Sequence, residues 1–152
     1  MKIIDCDIHH TYRSQQDLYP YLEEPYLSRL KEKGFGYPQE TYQSSIHNKR
    51  LDAKPETGPA GSDYSLLREQ LLDRHEVAYG VLTGEGVSGL SYMTERDYPA
   101  ALARAYNSWL MDTWLKYDDR LLGSLHLAIQ HPEAAAAEIY RCGSHPQIVQ
   151  VS

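Results

Sequence analysis

The chain has 152 residues, of which 41% are hydrophobic and 24% are charged, a composition typical of a folded globular protein. Its net charge of −6 argues against a dedicated nucleic-acid or anionic-membrane binder, because such proteins carry a basic surplus. No apolar run approaches the ~20 residues of a transmembrane helix, and two cysteines do not make a disulfide framework, so we predict a cytoplasmic protein without membrane spans.

Four short apolar segments predict β-strands at Ile3–His9, Val77–Thr83, Leu121–Ile129 and Gln147–Val151. A long excursion, residues 11–63, follows the first strand; it is rich in tyrosine and proline and ends in a glycine-proline turn cluster. Three helices with apolar residues at helical spacing are predicted between the strands, from Asp63 or Ser65 to His75, from Asp97 to Lys116, and from His131 to Gly143.

The order of these elements predicts the fold class. Strands that alternate with helices favour right-handed crossovers and a parallel sheet. A complete eight-stranded barrel takes about 250 residues, so four strands in 152 residues predict half of such a barrel or a small open sheet. We find no domain boundary in the sequence and predict that residues 1–152 form one α/β domain.

The end of the first strand carries the strongest chemical signal, the segment Asp5-Cys6-Asp7-Ile8-His9-His10. Because side chains alternate along a strand, Asp7 and His9 are predicted to share one face with Asp5. Cys6 is predicted to be buried, because the adjacent carboxylates oppose thiolate chemistry. A carboxylate and an imidazole on one face suit a divalent cation such as Zn²⁺ or Mn²⁺. Two ligands do not complete a site, and the alternative is that these residues cap the turn after the strand.

Several segments, in order, resemble the amidohydrolase-related family of metal-dependent hydrolases and decarboxylases, the group that contains aminocarboxymuconate-semialdehyde decarboxylase. Asp7-Ile8-His9 matches the Asp/Glu/His-x-His pair on the first barrel strand of that family. The resemblance continues through residues 17–22, 72–77, 101–109, 120–123 and 130–135, and so covers nearly the whole chain.

This resemblance implies the (βα)4 half of a TIM (β/α)8 barrel of the metal-dependent hydrolase type, with a long insertion after strand 1. It implies Asp7 and His9 as ligands of a divalent metal, Zn or Mn. The implied reaction is hydrolysis or non-oxidative decarboxylation of a small carboxylic acid or an amide- or ester-like substrate. Because the family's remaining ligands would lie beyond Ser152, we expect an N-terminal fragment that is inactive alone.

Other candidate residues flank this pair. In a barrel, Thr83 and Glu85 would lie at the catalytic rim, which makes them candidates for substrate binding. His10 is predicted to project away from His9 as a structural residue, with lining of the substrate entrance as its alternative role. His126 lies between two leucines and is predicted to be a buried core histidine.

Two other functions are compatible with the sequence. The first is a non-catalytic interaction module, because four parallel strands leave an open sheet edge that favours self-association or a partner half. We therefore predict a homo-oligomer. The second is a doubly wound domain of flavodoxin type, which would need a fifth strand and a binding loop that the sequence does not show.

Overall fold

Four parallel strands form one sheet in the order β1-β2-β3-β4. The computed structural model describes residues 2–35, 50–85 and 87–152, so part of the predicted excursion (residues 36–49) and Gly86 lie outside the described residues. The strands are β1 at Ile3–Ile8, β2 at Val77–Leu82, β3 at Leu121–Leu125 and β4 at Ile148–Val151. The prediction of a parallel sheet is confirmed, and neighbouring strands in the sheet are also neighbours in the sequence.

Helices connect the strands as the alternation predicts. They are α1 at Tyr26–Lys33 in the insertion after β1, α2 at Tyr64–Leu67, α3 at Asp97–Asp112, α4 at Trp114–Tyr117 and α5 at Pro132–Cys142. The chain continues from α2 as a π-helical turn over Arg68–Asp73, and short 3-10 turns cover Gln15–Tyr21, Leu51–Ala53 and Ser88–Tyr92. In the described part of the chain, no helix is both long and apolar enough to cross a membrane.

The helix ends follow their capping residues. The Asp63 carboxylate accepts a hydrogen bond from the backbone N–H of Leu66 at 3.1 Å, which fixes the start of α2. At α5, Pro132 occupies the first turn, where no N–H partner is needed. Gly143 ends α5, and its N–H donates to the carbonyl of Ile139 at 2.7 Å.

Two predicted elements, one helix and one strand, are interrupted well before their predicted ends. The helix predicted to reach Lys116 breaks at Thr113, whose hydroxyl donates to the Trp109 carbonyl at 2.6 Å, and α4 starts after the break. The strand predicted to reach Ile129 ends at Leu125 instead, because the side chain of Asn107 binds the backbone of the next residue, His126.

Helix α3 packs on the sheet and supplies the centre of the core. Its side chains Leu102, Tyr106 and Leu110 are fully buried, and burial of each leucine contributes about 1.5–3 kcal/mol. A glycine in β3 permits this close packing, because a Cβ at Gly123 would lie 3.1 Å from Leu110 Cδ2 and 2.9 Å from Ile148 Cδ1.

The outer strands leave apolar side chains exposed. Ile3, Ile4, Val149 and Val151 are each more than 40% exposed, and within the described ranges β1 and β4 each pair with a strand on one side only. Cys6 is also exposed, so the prediction of a buried thiol is wrong. That prediction depended on the adjacent carboxylates, which oppose thiolate chemistry and favour a packing role, whereas the structure places Cys6 on an outer strand of the described sheet. The register between β1 and β2 also shifts between Asp5 and Ile8.

Candidate metal-binding site

Asp7 and His9 meet at the carboxyl end of β1. The distance from His9 Nε2 to Asp7 Oδ1 is 3.2 Å, and the two side chains are 59% and 72% exposed, so both are accessible to a ligand. Asp5 lies beside them in sequence but turns back on the chain, where its Oδ1 accepts a hydrogen bond from the backbone N–H of Asp7 at 3.1 Å. The structure therefore brings Asp7 and His9 together. Asp5, which lies at the register shift, binds the Asp7 backbone N–H instead.

Thr83 joins this pair from the neighbouring strand. It directly follows β2, and its hydroxyl donates to Asp7 Oδ1 at 2.9 Å. Its backbone N–H donates to the Ile8 carbonyl at 3.0 Å, which continues the β1–β2 ladder past the end of the strand. The sequence identified Thr83 as a substrate-binding candidate; the structure shows a contact with Asp7.

Glu85 lies two residues further along the same ladder. Its backbone N–H donates to the His10 carbonyl at 2.8 Å, and its own carbonyl accepts from the Thr11 hydroxyl at 3.4 Å. Glu85 is half-buried. These contacts hold its backbone beside the end of β1, and its predicted role in substrate binding stays a prediction.

His10 lies on the helix side of the sheet and is buried. Its Nε2 is 2.9 Å from the Tyr106 hydroxyl, and its ring stacks on Trp109 and meets the edge of Trp114. Burial, followed by the neighbouring His126, lowers the pKa of His10 to about 3, so the ring is neutral at pH 7. His10 thus points away from His9, as the alternation predicts, and contacts aromatic side chains instead of the exposed pair.

His126 is a residue whose contacts the sequence did not predict. It directly follows β3, and its Nε2 lies 2.7 Å from the Thr83 carbonyl. Burial lowers its pKa, and the Tyr106 ring packs edge-on against it. The position of His126 as a buried histidine was predicted from its leucine neighbours, whereas the link to Thr83 depends on the pairing of β2 with β3.

Comparison with known proteins decides the family. An amidohydrolase family model matches residues 4–152. The chain belongs to the amidohydrolase family. No curated protein matches its sequence significantly.

Solved structures agree with this amidohydrolase assignment at the level of the fold. The chain is similar to 2,6-dihydroxybenzoate decarboxylase from Rhizobium, with a TM-score of 0.55 and 18% identity, and also to that decarboxylase complexed with 2,6-dihydroxybenzoate, with the same values. The alignment covers 99% of this chain and 38% of the decarboxylase chain. The predicted fold class is confirmed: the amidohydrolase chain has the parallel β/α units of part of a TIM barrel, with a long insertion after strand 1.

The donor atoms of this amidohydrolase chain suit a divalent cation but do not complete its coordination. A carboxylate and an imidazole are ligands that Zn²⁺ and Mn²⁺ both accept, and Asp7 and His9 provide one of each, close together and exposed. Among residues 2–35, 50–85 and 87–152, no group of three or more His, Cys, Asp and Glu side chains could hold a metal ion. Within these described residues, Asp7 and His9 are two donors, fewer than the three or four protein ligands of a zinc site.

Proposed function

We propose that the chain is the N-terminal half of a metal-dependent hydrolase or non-oxidative decarboxylase, and that Asp7 and His9 are its contribution to the metal site. The observation that carries this proposal is the contact between Asp7 and His9, at the carboxyl end of a barrel strand and open to solvent. In TIM-barrel enzymes, that end of the strands holds the active site.

In this proposal Asp7 and His9 hold the metal, and Thr83 orients Asp7 through its hydroxyl. A bound Zn²⁺ or Mn²⁺ would supply Lewis acidity toward a substrate oxygen or lower the pKa of a bound water. In this proposal the remaining ligands and the general acid or base come from outside the described residues, which is compatible with the 38% coverage of the decarboxylase chain. The chain is accordingly inactive alone.

A small carboxylic acid is the substrate class that the comparisons favour for this proposal. The structural neighbour is named for decarboxylation of 2,6-dihydroxybenzoate, an aromatic carboxylic acid, and one of its structures holds that molecule. The family model is that of an amidohydrolase, so hydrolysis of an amide- or ester-like bond is the alternative reaction within the same proposal.

Metal binding tests the proposal directly. We expect the chain to bind Zn²⁺ or Mn²⁺ weakly in calorimetry, because two protein ligands are too few for tight binding, and we expect Asp7→Ala and His9→Ala each to abolish it. The matched controls are Asp119→Ala and His75→Ala, which remove an exposed acid and an exposed histidine elsewhere. If both site variants bind metal as well as the controls do, the assignment of Asp7 and His9 as ligands is wrong.

A second candidate function is self-association through the sheet edges, as a non-catalytic module. The observation in its favour is the exposure of Ile3 and Ile4 on β1 and of Val149 and Val151 on β4. A strand edge with apolar side chains is a template for pairing with another chain. In this alternative, two copies of the chain would cover each other's edges to form a homo-oligomer.

A further inference from the structure

The backbone of His126 is held by a side chain instead of a neighbouring strand. His126 N–H donates to Asn107 Oδ1 at 3.0 Å, and Asn107 Nδ2 donates to the His126 carbonyl at 3.0 Å. Asn107 belongs to α3 and is fully buried. This pair of hydrogen bonds ends β3 and fixes the backbone from which the His126 ring projects.

Asn107 is itself anchored to a third element. Its Nδ2 also donates to Glu138 Oε1 at 3.0 Å, and Glu138 is a buried carboxylate of α5. Arg141 Nε donates to Glu138 Oε2 at 2.8 Å, which pairs the buried charge. The position of His126 is therefore determined by contacts with α3 and α5, and both helices lie outside the exposed site.

The His126 ring contacts the residue that follows the neighbouring strand β2. A carbonyl oxygen only accepts hydrogen bonds, so the 2.7 Å contact with Thr83 O requires that His126 Nε2 carries the proton and donates. The ring has little freedom to move, because Tyr106 packs edge-on against it with ring centroids 5.1 Å apart.

Thr83 then connects His126 to Asp7. Its carbonyl accepts from His126, its N–H donates to Ile8 O, and its hydroxyl donates to Asp7 Oδ1. The main chain of Thr83 is bound on both sides, which places its Cβ, and its hydroxyl lies 2.9 Å from Asp7 Oδ1 and 3.4 Å from the Ile8 carbonyl. The shorter of these contacts is with the same Asp7 oxygen that lies 3.2 Å from His9.

We propose that His126 is a positioning residue for the Asp7–His9 pair and acts through Thr83. The chain of contacts from Asn107 through His126 and Thr83 to Asp7 orders an otherwise exposed carboxylate in the orientation that faces His9. Residues that orient a ligand in this way usually change metal affinity by about 10- to 100-fold when they are removed. The inference rests on the proposed function for its reference to a metal, but the ordering of Asp7 beside His9 can be measured without one.

The variants separate the hydrogen bond from the shape of the side chain. Thr83→Val removes the hydroxyl at nearly constant volume, and Thr83→Ser keeps it. His126→Leu removes the donor to Thr83 O, and His126→Gln keeps an N–H near the same position. Thr113→Val is the control, because it makes the same substitution at a threonine that does not contact Asp7. The Thr113 hydroxyl donates to the Trp109 carbonyl.

The first readout is the ¹⁵N NMR spectrum of the His9 imidazole in the metal-free chain at one fixed pH, assigned with His9→Ala. Thr83→Val and His126→Leu are expected to shift the His9 ring signals because Asp7 leaves its position. Thr83→Ser, His126→Gln and Thr113→Val are expected to keep them. If folded His126→Leu or folded Thr83→Val leaves the His9 signals unchanged, the positioning role of His126 is overturned.

The second readout is the affinity for Co²⁺ alone, measured from its visible absorption. Thr83→Val and His126→Leu are expected to weaken Co²⁺ binding by about 10-fold. Thr83→Ser and Thr113→Val are expected to bind Co²⁺ with wild-type affinity. If Asp7→Ala and His9→Ala bind Co²⁺ like wild type, the proposed metal site fails, while the His9 spectrum still decides the positioning role. If the site variants lose Co²⁺ but Thr83→Val retains wild-type affinity, the metal site holds and the positioning inference is wrong.

Discussion

Gly84 is a position where a single added methyl group should disturb the structure. Its φ is +76°, in the left-handed region that favours glycine, and it directly follows Thr83. An added Cβ would overlap the Tyr106 hydroxyl and lie 2.9 Å from His126 Nε2. Gly84→Ala therefore combines a backbone cost of roughly 1–2 kcal/mol with an overpacking cost of about 1–3 kcal/mol.

We expect Gly84→Ala to lower the free energy of unfolding by about 2–5 kcal/mol, measured by urea denaturation. A double-mutant cycle with Tyr106→Phe separates the two costs. Removal of the hydroxyl alone takes a hydrogen-bonding partner from His10 Nε2 and should cost about 1–2 kcal/mol. In the Tyr106→Phe background the overlap with the hydroxyl is gone, so Gly84→Ala should cost at least ~1 kcal/mol less than in wild type.

Gly34→Ala provides the control for this cycle. Gly34 also has a positive φ, +65°, but the atom nearest to an added Cβ is Gln15 Oε1 at an ordinary 3.8 Å. Its effect should therefore be purely conformational and additive with Tyr106→Phe. If Gly84→Ala and Tyr106→Phe are also additive, within about 0.3–0.5 kcal/mol, the hydroxyl does not limit the space at Gly84 and the reasoning from this contact is refuted.

Two further predictions concern the β4 edge of the sheet and a charge pair at the start of β3. Under the self-association alternative, Val149→Lys and Val151→Lys should each abolish self-association, measured by sedimentation velocity, whereas Tyr140→Lys, an exposed control on α5, should not. If all three variants associate equally, the β4 edge is not the interface. The hydrogen bond from Arg120 lowers the pKa of Asp118 from 3.8 to about 2, so its stabilisation is present above pH 3.8 and is lost as the pH falls toward 2. Asp118→Asn should remove this loss of melting temperature at acid pH, and Asp119→Asn should not. If the melting temperature of Asp118→Asn falls with pH as steeply as that of the wild type, the Asp118–Arg120 hydrogen bond is not its cause.

The topology could be predicted because it depends on the order of the elements, whereas the ends of two elements depend on side chains from elsewhere. Alternation of strands and helices was sufficient for a parallel sheet in sequence order. Nothing within Leu121–Ile129 indicates that the strand stops at Leu125, since the cause is the amide of Asn107, 19 positions away in the sequence. In the long helix, the hydroxyl of Thr113 bonds the Trp109 carbonyl at the break, a contact that apolar spacing does not report.

The environment of β1 was predicted only in part because strict alternation fails there. The register shift between Asp5 and Ile8 turns the Asp5 carboxylate to the backbone N–H of Asp7. Cys6 is exposed for a related reason, since β1 is an outer strand of the described sheet. His10, which lies beyond the shift, points to the helix side as predicted, because its ring packs on Trp109.

The site shows which contacts a single sequence can predict. Asp7 and His9 were identified from their spacing within one strand, and a contact between them follows from local geometry. The contacts of Asp7 with Thr83 and of Thr83 with His126 join neighbouring strands, so they follow only when the strand order and the strand ends are both known. The order was predicted, and Thr83 and His126 each directly follow their strands in the structure. The predicted strands were one and four residues longer than the observed ones. Thr83 was still placed at the rim, whereas His126, enclosed in the longer predicted strand, was assigned to the core and its contact with Thr83 was missed.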